Sequence, residues 1–125
     1  MQINLEKTDS GNIIRRLRNE ATGYCITINE KDYSASLIIT PQSVELWDVT
    51  TPAEIEKAHF HHLMNGELEV LLVGTGSTMT FPNAESYRGL MAQGIGVEVM
   101  DTPAACRTYN LLAGDGRRVA AALIL

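Results

Sequence analysis

The stretch MDTPAACRTYN, residues 100 to 110, sets an aspartate, a threonine, a cysteine and a tyrosine within one short run. Pro103 suits the first position of a helix, so Cys106 falls in that helix's first turn. There the helix dipole favours a thiolate, and the free N–H groups favour an anion. Asp101 or Thr102 can cap the same donors, a contribution of about 1 kcal/mol, and that alone accounts for both residues. A nucleophilic thiol also needs a base within reach. The three histidines, His59, His61 and His62, belong to a different segment. Packing of a small thiol beside a sheet is the simpler account of Cys106. Tyr109 reads as a core aromatic whose hydroxyl finds a partner at an edge.

The glycine turn GTGS, residues 74 to 77, follows an apolar strand and invites comparison with phosphate-binding loops. A P-loop requires a lysine beside serine or threonine after its glycines, and none follows. The dinucleotide fingerprint requires a third glycine near position 79, which is Met79. Gly74 and Gly76 are explained by a chain that leaves a sheet sharply.

The run HFHH places His59 and His62 three residues apart, on one face of a helix with Ile55. Two ligands do not make a metal site, and nothing specifies a third. An amphipathic helix with half-buried imidazoles is the preferred account. Glu67 and Glu69 flank a strand start and read as solvated charge rather than an acid/base couple. No metal and no cofactor is expected.

These residues need elements to hold them. In the first part of the chain, residues 24 to 28, 34 to 40 and 43 to 49 read as strands, with residues 12 to 18 as a further candidate. Residues 29 to 32, NEKD, read as a polar turn. Together they predict an antiparallel meander. Residues 52 to 64 read as a helix, with Thr51 and Glu54 as a capping box, Pro52 at its first position and Gly66 as its stop. The rhythm then becomes strand (67 to 76), helix (83 to 94), strand (96 to 101), helix (102 to 116), strand (117 to 125). Two crossovers of that kind make a parallel sheet. VLLV and VAAALIL are apolar at consecutive positions, so both faces of this sheet are covered. The predicted fold class is α/β and three-layered: a central mixed sheet with a C-terminal β-α-β-α-β parallel unit and an N-terminal antiparallel meander.

The 125 residues suit one domain, residues 1 to 125, with a core that needs no staples. A net charge of −5 argues against a nucleic-acid partner, which needs a basic face. The clusters Arg15-Arg16-Leu17-Arg18 and Arg117-Arg118 are too short to reverse that balance. Cys25 and Cys106 lie far apart and read as free thiols of a reducing compartment. Residues 1 to 20 lack the apolar core of a signal segment, and the longest apolar run is seven residues. The expected location is cytoplasmic, with no transmembrane segment.

The segments LEVLLVGTGS, GIGVEVMDTPAACRTYNLLAGDGRRVAAALIL and SLIITPQSVELW resemble a family of small α/β domains. It includes many uncharacterised bacterial and archaeal proteins, a mitochondrial NADH dehydrogenase (complex I) assembly factor and an adipogenesis-associated domain protein. The resemblance runs from about residue 12 to the end. It implies a three-layer fold in which VLLV lies between the other two parallel strands. It implies that no catalytic activity is established for the family, and that its best-described role is helping assemble a respiratory complex.

Two functions follow as expectations. The leading one is a non-enzymatic binding or assembly domain that acts on a protein partner. The alternative is a binder of a small molecule or anion, conceivably a weak enzyme. It would use a crevice where the sheet doubles back, at the C-terminal ends of the parallel strands. Gly74, Thr75 and Gly76 would form one wall, Asp101 and Thr102 the other, with Cys106 and Tyr109 behind them.

Overall fold

The computed structural model describes residues 11–125, so the reading of the first ten residues lies outside the described residues. Eight strands and two helices follow in the order β1 (Ile14–Glu20), β2 (Gly23–Ile28), β3 (Lys31–Tyr33), β4 (Leu37–Thr40), β5 (Ser43–Leu46), β6 (Val70–Gly74), α1 (Arg88–Ala92), β7 (Gly96–Met100), α2 (Thr102–Gly114) and β8 (Val119–Leu123). Short 3₁₀ segments occupy Pro52–Glu54, Lys57–Leu63 and Ala84–Ser86.

The central sheet has the order β5-β4-β8-β6-β7. β6 runs parallel to both β7 and β8, while β4 is antiparallel to β8 and β5. The chain therefore passes from β6 out to β7 and returns across β6 to β8. Right-handed crossovers that reverse direction put their helices on opposite faces. On one face Leu72, Ala121 and Leu123 meet Ala105, Cys106 and Tyr109 of α2, together with Ile14, Ile26 and Ile28 of the small sheet. On the other face Leu71, Val73, Ala120 and Ala122 meet Phe60, Leu63, Leu90 and Ile95. Successive residues of β6 and β8 feed different layers, as the pleat requires, which is why neither strand alternates in polarity.

The predicted antiparallel meander is present and is shared between two sheets; three local expectations are corrected. β1, β2 and β3 form a separate three-stranded antiparallel sheet, and only β4 and β5 join the central one. NEKD holds a two-residue turn, with Asn29 at φ 54°, and then the first two residues of β3. Asn tolerates this left-handed conformation better than most residues. Leu37, Ile38 and Ile39 are all buried, so β4 needs cover on both faces and finds it beside β8.

The predicted helix over residues 52 to 64 is two 3₁₀ segments. Ile55 between them is extended, φ −72° and ψ 126°, and its side chain is buried. The Glu54 carboxylate does accept from the Thr50 and Thr51 N–H groups, at 2.7 and 3.4 Å. The helix over 83 to 94 is likewise a 3₁₀ turn followed by α1, interrupted at Tyr87. Asn83 still caps it, accepting from Glu85 N–H at 2.9 Å. In α2 the N-cap is Asp101, and Thr102 is the first helical residue.

Candidate functional site

The C-terminal ends of β6 and β7 place Gly74, Thr75 and Gly76 beside Asp101 and Thr102. Direct hydrogen bonds join the two loops. Thr75 N–H donates to Met100 C=O at 2.9 Å, and Thr102 N–H donates to Gly76 C=O at 2.8 Å. The Thr102 hydroxyl accepts from Gly76 N–H at 2.8 Å and donates to Ile124 C=O at 2.8 Å. Ile124 N–H in turn donates to Gly74 C=O at 2.9 Å. One buried threonine thus ties both loops to the C-terminal strand.

The glycines serve this seam for separate reasons. A side chain at Gly74 would lie 3.0 to 3.1 Å from Leu123 Cδ2, Ala105 Cβ and Thr102 Cα. Gly76 sits at φ +96°, a backbone state that L side chains rarely adopt. Thr75 orders the loop that follows: its hydroxyl donates to Thr78 C=O at 2.7 Å and accepts from Thr80 N–H at 3.1 Å.

The N-terminal donors of α2 are all committed to the chain. Thr102 N–H is taken by Gly76, Ala104 N–H by Asp101 Oδ1 at 2.8 Å, and Ala105 N–H by Asp101 C=O at 3.0 Å. Pro103 has none to offer. An anion at this point would have to displace protein acceptors. The two loops thus meet along a seam in which these polar groups face one another.

Cys106 is buried behind the seam, at 4% exposure. Burial pushes its thiol up to about 12, against a smaller lowering by the Arg107 cation. Desolvation outweighs any help from the helix terminus, so the group is a neutral thiol at ordinary pH. Tyr109 is fully buried and burial raises its hydroxyl too. That hydroxyl donates to Asn12 C=O at 2.8 Å. The neighbouring Asn110 accepts from Ile14 N–H at 2.9 Å and donates to Ile14 C=O at 2.7 Å. Tyr109 and Asn110 fasten the small sheet to α2.

Two of the three histidines, His59 and His62, find carboxylates. Glu56 N–H donates to His59 Nδ1 at 2.9 Å, which leaves the proton on Nε2, 3.0 Å from Asp48 Oδ1. The His62 ring pairs with Glu45. The His59 and Trp47 rings stand nearly perpendicular, 5.5 Å between centroids, and the indole N–H of Trp47 donates to Leu123 C=O at 3.1 Å. Each imidazole thus ties the 3₁₀ segment Lys57–Leu63 to the chain at β5. No cluster of three metal-ligating side chains occurs among the described residues.

The opposite end of the central sheet holds a cavity of about 550 Å³. Its walls come from the β4–β5 turn, the stretch from His62 to Leu68, and the junction of α2 with β8. Leu63, Leu68, Ala113 and Val119 supply apolar surface, while Ser43, His62, Arg117 and Arg118 supply polar groups. Here Glu69 accepts from Arg117 Nε at 3.0 Å and from Arg118 N–H at 3.0 Å. The Arg118 backbone bond and the Arg117 guanidinium hold its carboxyl below the usual range. A second cavity, about 760 Å³, lies against the small sheet and is lined only by polar residues such as Arg15, Arg16, Lys31 and Asp32. The sequence reading missed the first cavity. Its walls are three segments distant in the chain, and none carries a motif.

Fold and seam define a three-layer α/β domain on a five-stranded mixed sheet, with Cys106 and Tyr109 turned inward. The chain belongs to the family described as a protein of unknown function (DUF498/DUF598), whose model matches residues 19–124. A crystal structure of a Bordetella parapertussis protein has 38% identity and a TM-score of 0.77, covering 90% of this chain and 93% of that one. A Bordetella pertussis solution structure, described as a Mth938-like domain, has 31% identity and a TM-score of 0.77, covering 94% and 87%. In zebrafish (Danio rerio), the NADH dehydrogenase [ubiquinone] 1 alpha subcomplex assembly factor 3 is 36% identical over 99 residues, 78% of this chain and 57% of the relative. The kinship read from the GTG turn and the MDTPAACRTYN helix is thereby shown. The chain spans about half the length of the curated assembly factors it matches. No helix among the described residues is long and apolar enough to cross a membrane.

Proposed function

We propose that the chain is a non-enzymatic assembly domain that works by binding a protein partner, in the manner of a respiratory complex I assembly factor. The observation that carries this reading is the kinship with proteins named for that task. The interior supports it. Cys106 is a buried neutral thiol, the N-terminal donors of α2 are occupied, and His59 and His62 are paired with carboxylates. In this reading Gly74, Thr75, Gly76, Asp101, Thr102, Cys106 and Tyr109 are architecture that holds the domain's surface in shape. The chain acts as a single domain in the cytoplasm, where Cys25 and Cys106 stay reduced.

Deletion of the gene in its own cells, followed by native gel electrophoresis of respiratory complexes, tests the reading. The expected result is loss of assembled NADH dehydrogenase with accumulation of subassemblies, restored by the intact chain. In-cell crosslinking is expected to join the tagged chain to a subunit of one of those subassemblies. Normal assembly in the deletion strain together with no crosslinked subunit overturns it.

A further inference from the structure

The seam uses up the polar groups at one end of the central sheet, whereas the other end keeps an open space with unspent ones. The cavity below the β4–β5 turn has a volume of about 550 Å³, within the range of roughly 300 to 1,000 Å³ usual for small-molecule sites. Its surface is divided. Leu63, Leu68, Ala113 and Val119 make an apolar floor, and Arg117 stands among the polar side chains that line it. Among the described residues the one acceptor of the Arg117 guanidinium is Glu69, bound through Nε. Its two terminal nitrogens have no acceptor there. A guanidinium with a free fork beside apolar surface suits a planar carboxylate.

The local charges restrict the ligand further. The lining carries two cations, Arg117 and Arg118, against one carboxylate, Glu67, and Glu69 already engages both arginines. With Glu69 counted these four charges cancel, so a phosphate dianion is disfavoured more strongly than a single carboxylate seated on the Arg117 fork. The floor rewards a ligand that brings an apolar body along with its charge.

We infer that this cavity binds a small monocarboxylate with an apolar tail, its carboxylate on the free fork of Arg117 and its tail on Leu63, Leu68, Ala113 and Val119. The site is independent of the assembly role and lies at the end of the sheet opposite the seam.

Titration of the isotopically labelled chain with octanoate, followed by heteronuclear NMR, tests the inference. Octanol, acetate and inorganic phosphate serve as separate probes. Octanoate is expected to give saturable shifts confined to residues 40 to 43, 62 to 68 and 113 to 119. Octanol is expected to bind about tenfold more weakly, the usual worth of one charge-assisted hydrogen bond, and acetate and phosphate, which lack the apolar tail, more weakly still. Arg117→Ala should weaken octanoate by about tenfold and leave octanol unchanged. Arg117→Lys should recover part of the loss. Gln42→Trp, at the exposed turn, should narrow the mouth and weaken octanoate while the arginine remains. Absence of saturable shifts, shifts mapping elsewhere, equal binding of octanol and octanoate, or an unchanged Arg117→Ala variant would each overturn the proposal.

Discussion

Asn110 of α2 closes a two-bond ring with the backbone of Ile14, accepting its N–H at 2.9 Å and donating to its C=O at 2.7 Å. The amide replaces, at the beginning of β1, the neighbouring strand that this residue's backbone would otherwise need. Tyr109 adds its bond to Asn12 one residue earlier on the helix. The small sheet is thus attached to the three-layer core by polar bonds as well as by Ile14, Ile26 and Ile28.

The Asn110→Ala variant is expected to lose about 1–3 kcal/mol, because it strands a donor and an acceptor of Ile14 together. Tyr109→Phe removes one hydrogen bond and leaves Asn12 C=O partly accessible, so its cost is about 1 kcal/mol. Leu111→Ala, exposed on the same helix, serves as a control with a change within about 0.5 kcal/mol. Urea denaturation of the three variants measures these differences. A neutral Asn110→Ala would show that apolar packing alone holds the small sheet.

Thr102→Val preserves shape and removes the hydroxyl that serves Gly76 and Ile124. Its expected cost is about 2–3 kcal/mol, since a buried N–H and a C=O both lose their partner. Gly74→Ala forces a methyl group within 3.1 Å of Ala105 and Thr102, and overpacking of this kind costs about 1–3 kcal/mol. The two changes share neighbours, so the double variant should depart from additivity. Thermal and chemical unfolding measure both.

Both cysteines are buried, and the Cys106 thiol is pushed up to about 12. Native protein at neutral pH should therefore resist a thiol-specific reagent until it unfolds, and both thiols should then react. The same shift has a consequence for alkaline stability. Above the ordinary thiol value of 9.0 the unfolded chain loses a proton that the folded chain retains, so stability should fall as pH rises from there towards about 12. Cys106→Ala should flatten part of that slope. Rapid labelling of Cys106 in the native state would contradict its placement.

At the acid side the sign reverses. The Glu69 carboxyl is held low by Arg118 N–H and the Arg117 guanidinium. Its contribution is present above the ordinary carboxyl value of 4.5 and is lost as pH falls through the lower folded value. Glu69→Gln should lower stability at neutral pH and reduce its dependence on pH below that point. Denaturation midpoints across an acid pH series read this directly. An unchanged acid slope would mean that the Arg117 and Arg118 bonds to Glu69 do not persist in solution.

Much of the architecture could be read from residue order. Consecutive apolar positions in VLLV and VAAALIL required two covered faces, and the alternation of strands with helices required parallel pairing. The resemblance implied the position of β6 between β7 and β8. The LII run of β4 carried the same two-faced signal, yet its position among alternating strands suggested a single meander. The breaks at Ile55 and Tyr87 left no such mark, because each depends on which side chain the core can accept.

The residue order by itself determined the class of fold, the turn at Gly74–Gly76 and the start of α2, because these follow from chain stereochemistry and from local polarity. It also brought the two loops of the seam to the same end of the sheet. Only the tertiary structure decided what happens between them: whether the Thr102 hydroxyl and the Asp101 carboxylate face an open space or the chain's own N–H groups. The burial of Cys106 was decided the same way, by how many neighbours exclude water from it. Desolvation and cavity shape are sums over segments distant in sequence, so the seam and the open cavity beside Arg117 emerge only when the layers are assembled.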